Sequence, residues 1–150
     1  MLMADRLRLD RFLPYRLSVT SNRVSERIAR TYEALFGLSI PEWRLIAVIA
    51  EAPGITQADI DERTRMDKVT VSRAAIALAQ RGLLDRAPNV ADRRSRHLSL
   101  NEAGRALYDQ VAPKALELEA RILARFSTEE VGQLMDMLRR LDAAVQEETP

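Results

Sequence analysis

The chain has 150 residues, 47% of them hydrophobic and 30% charged, which is the balance of a soluble globular protein rather than a disordered one. It has no cysteine, which excludes disulfides, thiol redox sensing and cysteine metal sites. No apolar run approaches the roughly 18 residues of a membrane span and the N-terminus lacks the apolar core of a signal peptide, so we expect a cytoplasmic protein.

Six helices and one short hairpin are predicted along the chain. Pro14 suits the first turn of the first helix, which leaves residues 1–13 as an arm. Pro113 falls inside the fifth helix and is expected to kink it. The predicted order is helices at about 14–36, 40–52, 57–64 and 68–81, a two-stranded hairpin with its tip near 88–95, and helices at 102–125 and 128–147.

Helix start and stop signals set these boundaries. The stretches "SIPE" and "STEE" each offer a serine N-cap with a glutamate three residues later, which is the capping-box pattern. Thr56, Asp67 and Asn101 precede three further helices as N-caps. Glycines stand where helices should end, at Gly37, Gly54 and Gly82.

No linker separates the predicted elements, so the sequence predicts one domain over residues 1–150. Its fold class is mainly α, with a small β-hairpin.

The third and fourth helices are joined only by "RMD", which is the arrangement of a helix-turn-helix. Val71, Ala75 and Leu78 form an inward stripe on the fourth helix. Its exposed first turns then carry polar and basic side chains suited to DNA, namely Lys68, Thr70, Ser72 and Arg73. Short helix pairs are common, and an ordinary αα-hairpin is the alternative interpretation of this segment alone.

Charge is segregated along the chain. Residues 63–105 contain ten Lys and Arg against four acids, a net charge of +6, while the remainder carries −5. A basic segment in an otherwise acidic protein indicates a polyanionic partner for that segment, although a solvated basic face is the alternative.

The hairpin tip concentrates arginine around one acid. Arg93, Arg94 and Arg96 follow Asp92 within four residues. A hairpin that follows a helix-turn-helix is a wing, and an arginine at its tip suits the negative potential of a narrow minor groove. We expect Arg94 to enter that groove, Arg93 and Arg96 to contact phosphates, and Asp92 to pair with an arginine or cap the turn. Thr56 and Gln57 add contacts at the start of the third helix.

The stretch "DKVTVSRAAIALAQRGLLDRAPNVADRRSRHLSLNEAG" resembles the core of the MarR family of winged-helix transcriptional regulators. It carries an acid and an arginine two residues apart, Asp92 and Arg94, before a strand that ends with Leu98 and Ser99. The family more often has threonine where Ser99 stands. The helix order agrees with the family from about residue 12 to 147.

The resemblance implies a homodimer in which the first, fifth and sixth helices interlock. The winged helix-turn-helix lobe is then expected at about 39–100, and the dimerisation helices at about 12–36 and 101–147. Apolar stripes on the last two helices support a partner independently. They comprise Leu107, Val111, Leu118 and Ile122 on the fifth helix, and Val131, Leu134, Met135, Leu138, Leu141 and Val145 on the sixth. The alternative is that these helices fold back on their own core. Two-fold symmetry implies a pseudo-palindromic operator with half-sites about 10 bp apart.

Members of the family often release DNA when a small, frequently aromatic and anionic molecule binds. The opening stretch "FLPYRLSVTSNRVS" is similar to members associated with aromatic-compound metabolism. We therefore expect an aromatic carboxylate effector held by Tyr15 and Arg16 on the first helix and Trp43 and Arg44 on the second. The alternatives are that Trp43 packs in the core or an interface, and that Arg16 pairs with an acid of the other subunit.

Other functions have less support from the residues. His97 is the only histidine, and there is no phosphate loop, nucleophile elbow or zinc motif, so we expect neither an enzyme nor a metal or other cofactor. The acidic run "DIDER" is interpreted as a solvated helix face. A DNA-binding regulator without small-molecule input and a winged-helix protein–protein module remain as alternatives.

Overall fold

The computed structural model describes residues 6–92 and 94–148. A short 3-10 turn at Leu9–Arg11 precedes the first helix, and helices make up most of the chain. The elements in order are α1 (Leu13–Phe36), α2 (Ile40–Glu51), β1 (Ile55–Thr56), α3 (Gln57–Thr64), α4 (Lys68–Gln80), β2 (Leu84–Pro88), β3 (Arg96–Leu100), α5 (Glu102–Ile122) and α6 (Thr128–Glu147). The mainly α fold class is confirmed, and α5 ends three residues earlier than predicted.

The sheet has three antiparallel strands in the order β1-β3-β2, where two were predicted. In the added pair Ile55 lies opposite Leu98, and the Gly54 amide donates to the Leu98 carbonyl over 2.9 Å. The two-stranded prediction was wrong because β1 contains only two residues, too few for an alternating pattern to show. β3 is therefore the central strand, and its Leu98 is fully buried.

Local sequence signals place the starts of α2 to α6 as predicted. Both capping boxes are present, Ser39 with Glu42 and Ser127 with Glu130. The side chains of Thr56 and Asp67 accept backbone N–H groups at the starts of α3 and α4, and Asn101 accepts from the Gly104 amide at 2.9 Å. These groups satisfy amides that a helix leaves unpaired in its first turn.

The core around the sheet is built on α4 and α2. The predicted inward stripe of α4 is buried, and α4 packs against α2, α3 and β2. On α5, Gly104 lies so close to the Leu83 carbonyl that a Cβ atom there would overlap it. The fully buried side chains of this core include Leu45, Ile46, Ile49, Ile60, Val71, Leu78 and Leu98. Close packing of this kind fixes the orientation of each helix.

A single arginine joins three helix ends. Arg81, which follows α4, donates to the carbonyls of Gly37 and Phe36 at the end of α1, over 3.1 and 3.2 Å. Its guanidinium also lies 4.0 Å from the Glu42 carboxylate at the start of α2. Cationic donors at a helix C-terminus satisfy its last carbonyls and oppose its dipole. The end of α4 is thereby tied to α1 and α2.

The chain divides into two compact units, one up to Val111 and one from Ala112. α5 continues through Pro113 as helix, and the kink expected there remains a prediction, as does the single-domain organisation. In the second unit α6 exposes Leu134, Met135, Met137, Leu138 and Val145. Within the described residues no helix is long and apolar enough to cross a membrane.

Candidate nucleic-acid interface

The turn between α3 and α4 is tight because one residue adopts a left-handed conformation. Arg65 has φ 59° and ψ 16°, and its amide donates to the Asp61 carbonyl at 2.9 Å, which ends α3. Just before it, the Thr64 hydroxyl donates to the Ile60 carbonyl. The next helix starts three residues after Arg65, so α3 and α4 form the compact pair of a helix-turn-helix.

Asp67 fixes where α4 begins. Its Oδ1 accepts the Thr70 amide and its Oδ2 accepts the Thr70 hydroxyl, each at 2.8 Å. These bonds, the backbone one first, lower the pKa of the Asp67 carboxyl below its ordinary value. Because the Thr70 hydroxyl proton is directed at Asp67, Thr70 offers its remaining lone pairs to a ligand.

The outward side of α4 carries the predicted contact residues. Lys68 and Arg73 are exposed, whereas Thr70 and Ser72 are half-buried. Sequence analysis did not single out two apolar residues on the same side, Val69 and Ile76, which remain 58% and 40% exposed. Their exposure appears only once the buried stripe of α4 is fixed by packing.

Asp92 organises the wing tip through the backbone. Its Oδ1 accepts the Arg94 amide at 3.0 Å, and its carbonyl accepts the Ser95 amide at 3.1 Å. Asn89 similarly accepts the Ala91 amide at 3.0 Å. Both are Asx turns, in which a short polar side chain holds the chain in a fixed turn. Arg93, a predicted phosphate contact, lies outside the described residues.

A groove of about 370 Å³ runs between α3, α4 and the wing. Five predicted DNA-contact residues line it, namely Gln57, Lys68, Ser72, Asp92 and Arg94. Thr70 and Arg73 line a second depression of about 350 Å³ on the opposite flank of α4. The predicted residues therefore lie on both sides of the fourth helix, while Thr56 and Arg96 lie in the sheet at the base of the wing.

Two polar atoms in the first groove were not foreseen. Asp61 Oδ1 and Ser95 Oγ are buried, and neither has a hydrogen-bond partner among the described residues. Burial raises the pKa of the Asp61 carboxyl, although nearby Lys68 acts in the opposite direction. The interpretation of "DIDER" as a solvated face is therefore correct for the exposed Asp59 and Glu62 and wrong for Asp61. The wing residues that line the same groove, Asp92, Arg94 and Ser95, are distant from it in sequence.

The residues predicted to hold an effector fall into two places. Trp43 lies between two tyrosines that sequence analysis missed. Its ring meets Tyr32 of α1 edge-on, with centroids 5.5 Å apart, and stacks on Tyr108 of α5 at 6.0 Å. Tyr15 and Arg16 are exposed near the start of α1, and Arg44 is exposed on α2. Since Tyr15 precedes Tyr32 by 17 positions, they lie about 25 Å apart along α1.

The described part of the chain contains no cluster of three or more acidic or histidine side chains that could hold a metal ion. His97 instead places its Nδ1 2.8 Å from the Gly54 carbonyl, so it serves the junction of β1 and β3. The features that remain are a helix-turn-helix, an antiparallel wing and a cationic outward face on α4. Together they define a winged helix-turn-helix regulator.

Comparison with known proteins identifies the family. The MarR family sequence model matches residues 36–95. The transcriptional regulator PecS of Dickeya dadantii (strain 3937) is 33% identical over 129 residues, which cover 82% of this chain and 78% of PecS. The chain therefore belongs to the MarR family of transcriptional regulators, and the resemblance found in the sequence is confirmed.

Two further comparisons agree. The homoprotocatechuate degradative operon repressor of Escherichia coli is 27% identical over 106 residues, which cover 71% of this chain and 72% of the repressor. The crystal structure of a MarR/EmrR family regulator from Acinetobacter sp. ADP1 has a TM-score of 0.85 at 26% identity, and the match covers 94% of this chain and 99% of that one. These proteins are regulators rather than enzymes.

The two carboxylates at the helix-turn-helix predict opposite pH effects on stability. The lowered pKa of Asp67 means that its contribution is full above the ordinary value of 3.8 and is lost as the pH falls through the lowered value. Asp67→Asn keeps a cap acceptor but removes this titration. We expect the variant to lose less of its free energy of unfolding than the wild type on acidification, as measured by urea unfolding between about pH 7 and 3.

Asp61→Asn is the matched control, because the raised pKa of Asp61 gives the opposite sign. Its contribution is favourable at low pH and is lost as the pH rises through the raised value, so the variant gains stability relative to the wild type at neutral pH. Parallel pH curves for the wild type and both variants would contradict the assignment.

Proposed function

We propose that this regulator is a homodimeric repressor that acts in the cytoplasm, binds a pseudo-palindromic DNA operator and is released by a small aromatic acid. The observation that carries the DNA-binding part is the groove where α3, α4 and the wing present predicted contact residues side by side. The proposed DNA-contact set is Thr56, Gln57, Lys68, Thr70, Ser72, Arg73, Asp92, Arg93, Arg94 and Arg96.

The geometry supports different DNA contacts for α4 and for the wing. The start of α4 enters the major groove, where Arg73 can bind guanine with two hydrogen bonds. The wing carries Arg94 toward the adjacent minor groove, whose negative potential favours an inserted guanidinium. Arg96 at the base of β3 contacts phosphates, which fix the register without reading sequence.

The acid at the wing tip fits this arrangement because its carboxylate is directed at the backbone. Asp92 accepts the Arg94 amide, so the acid holds the turn that presents the arginine. A carboxylate that faced phosphate would instead oppose binding. The role of Asp92 in DNA binding is thus conformational.

The first experiment is binding of the purified protein to the intergenic DNA upstream of its own gene, compared with a scrambled duplex and titrated with salt. A dimer with several phosphate contacts should lose orders of magnitude in affinity between about 50 and 200 mM salt while it prefers its own site. Salt-dependent binding without preference would place the operator elsewhere. No binding to any duplex at low salt would favour the protein–protein module.

In that assay Arg94→Ala should weaken specific binding roughly tenfold to a hundredfold, as loss of one base-groove arginine contact does. Asp92→Ala should also weaken binding, although it removes a negative charge, because the turn loses its acceptor. Asp92→Asn is the matched variant: it removes the same charge and keeps the acceptor, so it should retain most of the affinity.

Tighter operator binding by Asp92→Ala would overturn the conformational role of Asp92. Equal losses for Asp92→Ala and Asp92→Asn would instead show that the charge, and not the turn, is what matters.

The homodimer is supported by apolar surface that a single chain leaves in water. On α6 the predicted stripe runs at three-to-four spacing, with Leu134, Leu138 and Val145 exposed. On α1, Leu13, Leu17, Val24 and Leu35 are exposed as well. Surfaces of this extent mark protein interfaces. The proposed dimerisation residues on α6 are Val131, Leu134, Leu138 and Leu141.

Leu138→Glu should therefore dissociate the dimer, because a carboxylate at the centre of an apolar interface loses its water without gaining a partner. The matched control is Gln133→Glu, which adds the same charge to the opposite side of α6. Light scattering after size exclusion measures the mass directly. A wild-type monomer, or a dimer unaffected by Leu138→Glu, would contradict the proposed interface.

The effector is proposed to be an aromatic carboxylate. One relative is the repressor of a homoprotocatechuate degradative operon, and Trp43 with its two tyrosines provides aromatic surface. Because Tyr15 and Arg16 lie far along α1 from this cluster, the four predicted residues converge only if Tyr15 and Arg16 come from the second chain. The proposed pocket thus combines Trp43 and Arg44 of one chain with Tyr15 and Arg16 of the other.

Homoprotocatechuate, benzoate and 4-hydroxybenzoate are suitable test ligands. A binding acid should raise the melting temperature and change the fluorescence of Trp43, the only tryptophan. Arg16→Ala and Arg44→Ala should each weaken its binding about tenfold or more, since hydrogen bonds between charged groups are lost. If both variants bind an identified effector as tightly as the wild type, the placement is wrong. No melting shift with any acid would favour a regulator without small-molecule input.

A further inference from the structure

Two apolar side chains are exposed on the outward face of α4. Val69 is 58% exposed and Ile76 is 40% exposed. Helical spacing places both opposite the buried stripe of Val71, Ala75 and Leu78. Single exposed apolar residues are common on protein surfaces, so the position of this pair matters more than its exposure.

Val69 and Ile76 lie on either side of Arg73, the one arginine of α4. Val69 precedes Arg73 by four residues and Ile76 follows it by three, so the three side chains lie above one another along the helix. Seven residues of helix rise about 10 Å, which is the length of roughly three base-pair steps. The alternation of apolar, cationic and apolar groups therefore matches a short run of base pairs.

A second copy of this chain is a poor occupant for the surface. Pairing two such faces would bring Lys68 and Arg73 of both copies together, and like charges repel. The major groove of DNA offers the complementary combination: phosphates along the edges, acceptors on guanine, and the 5-methyl group of thymine as its apolar feature.

We infer that Val69 is a specificity residue that contacts the 5-methyl group of a thymine beside the base pair bound by Arg73. Ile76 extends the apolar contact on the other side of Arg73. The inference rests on the proposed function, because it requires α4 to enter the major groove. Val69 is favoured for the base contact because residues at the start of a recognition helix reach base edges.

The test removes the methyl group from the DNA. Each thymine of the operator is replaced in turn by deoxyuridine, which pairs identically and lacks only the 5-methyl group. The wild type should lose about fourfold in affinity at one thymine in each half-site, the equilibrium equivalent of one buried methyl group. Val69→Ala should bind the thymine operator more weakly and show no further loss at that position.

Val90→Ala is the matched control, since Val90 is 96% exposed near the wing tip. The wing is proposed to face the minor groove, where thymine presents no methyl group, so this variant should keep the full deoxyuridine penalty. Val69→Ala is compatible with folding, because Val69 is exposed and alanine favours the helix. Unfolding curves of both variants confirm that the fold is retained.

The outcomes distinguish failure of the Val69 contact from failure of the proposed DNA-binding function. Loss of the deoxyuridine penalty in Val69→Ala alone supports the contact. If the wild type binds its operator specifically but Val69→Ala retains every deoxyuridine penalty, the inference is overturned and the proposed function stands. Failure of the wild type to bind any duplex, including duplexes selected from a random pool, would overturn both.

Discussion

The burial of one face of α4 is the constraint on which the rest of this surface depends. Val71, Ala75 and Leu78 are withdrawn from water against α2, α3 and β2. Because a helix is rigid, burial of this stripe also determines which side chains of α4 point outward. Arg73 and its apolar neighbours therefore face solvent as a consequence of core packing, and the chemistry of the surface follows from the hydrophobic effect beneath it.

Polar side chains that act on nearby backbone then determine where α4 begins and how the wing tip turns. Asp67 caps α4 and so determines its first residue. Arg65 adopts a left-handed conformation, which keeps the turn between α3 and α4 short. Such a conformation costs a non-glycine residue about 1–2 kcal/mol. In the wing, Asp92 likewise accepts a backbone amide: it stabilises the turn and leaves Arg94 exposed. In each case an acid near a cationic surface acts on backbone amides.

These features differ in how far the sequence predicts them. Capping boxes, the stripe of α4 and the wing depend on residues within a few positions of one another, so periodicity and cap chemistry predict them well. The pairing of β1 and the position of the tyrosines around Trp43 depend on contacts between distant segments. No local pattern encodes such contacts. Five of the predicted DNA-contact residues line one groove, and Asp61 and Ser95, which line it too, were not foreseen.

The hydrogen bonds of Arg81 give the proposed effector response a physical route. Trp43 follows Glu42 in the sequence, and the Glu42 carboxylate both accepts the Ser39 amide and lies near the Arg81 guanidinium. Arg81 in turn holds the last carbonyls of α1 from the end of α4. In the proposed pocket, a ligand that displaced the ring of Trp43 would act one residue from Glu42, whose carboxylate lies near the Arg81 guanidinium. Because packed helices shift as rigid bodies, a small displacement there would be passed along α4 to the residues that are proposed to contact DNA.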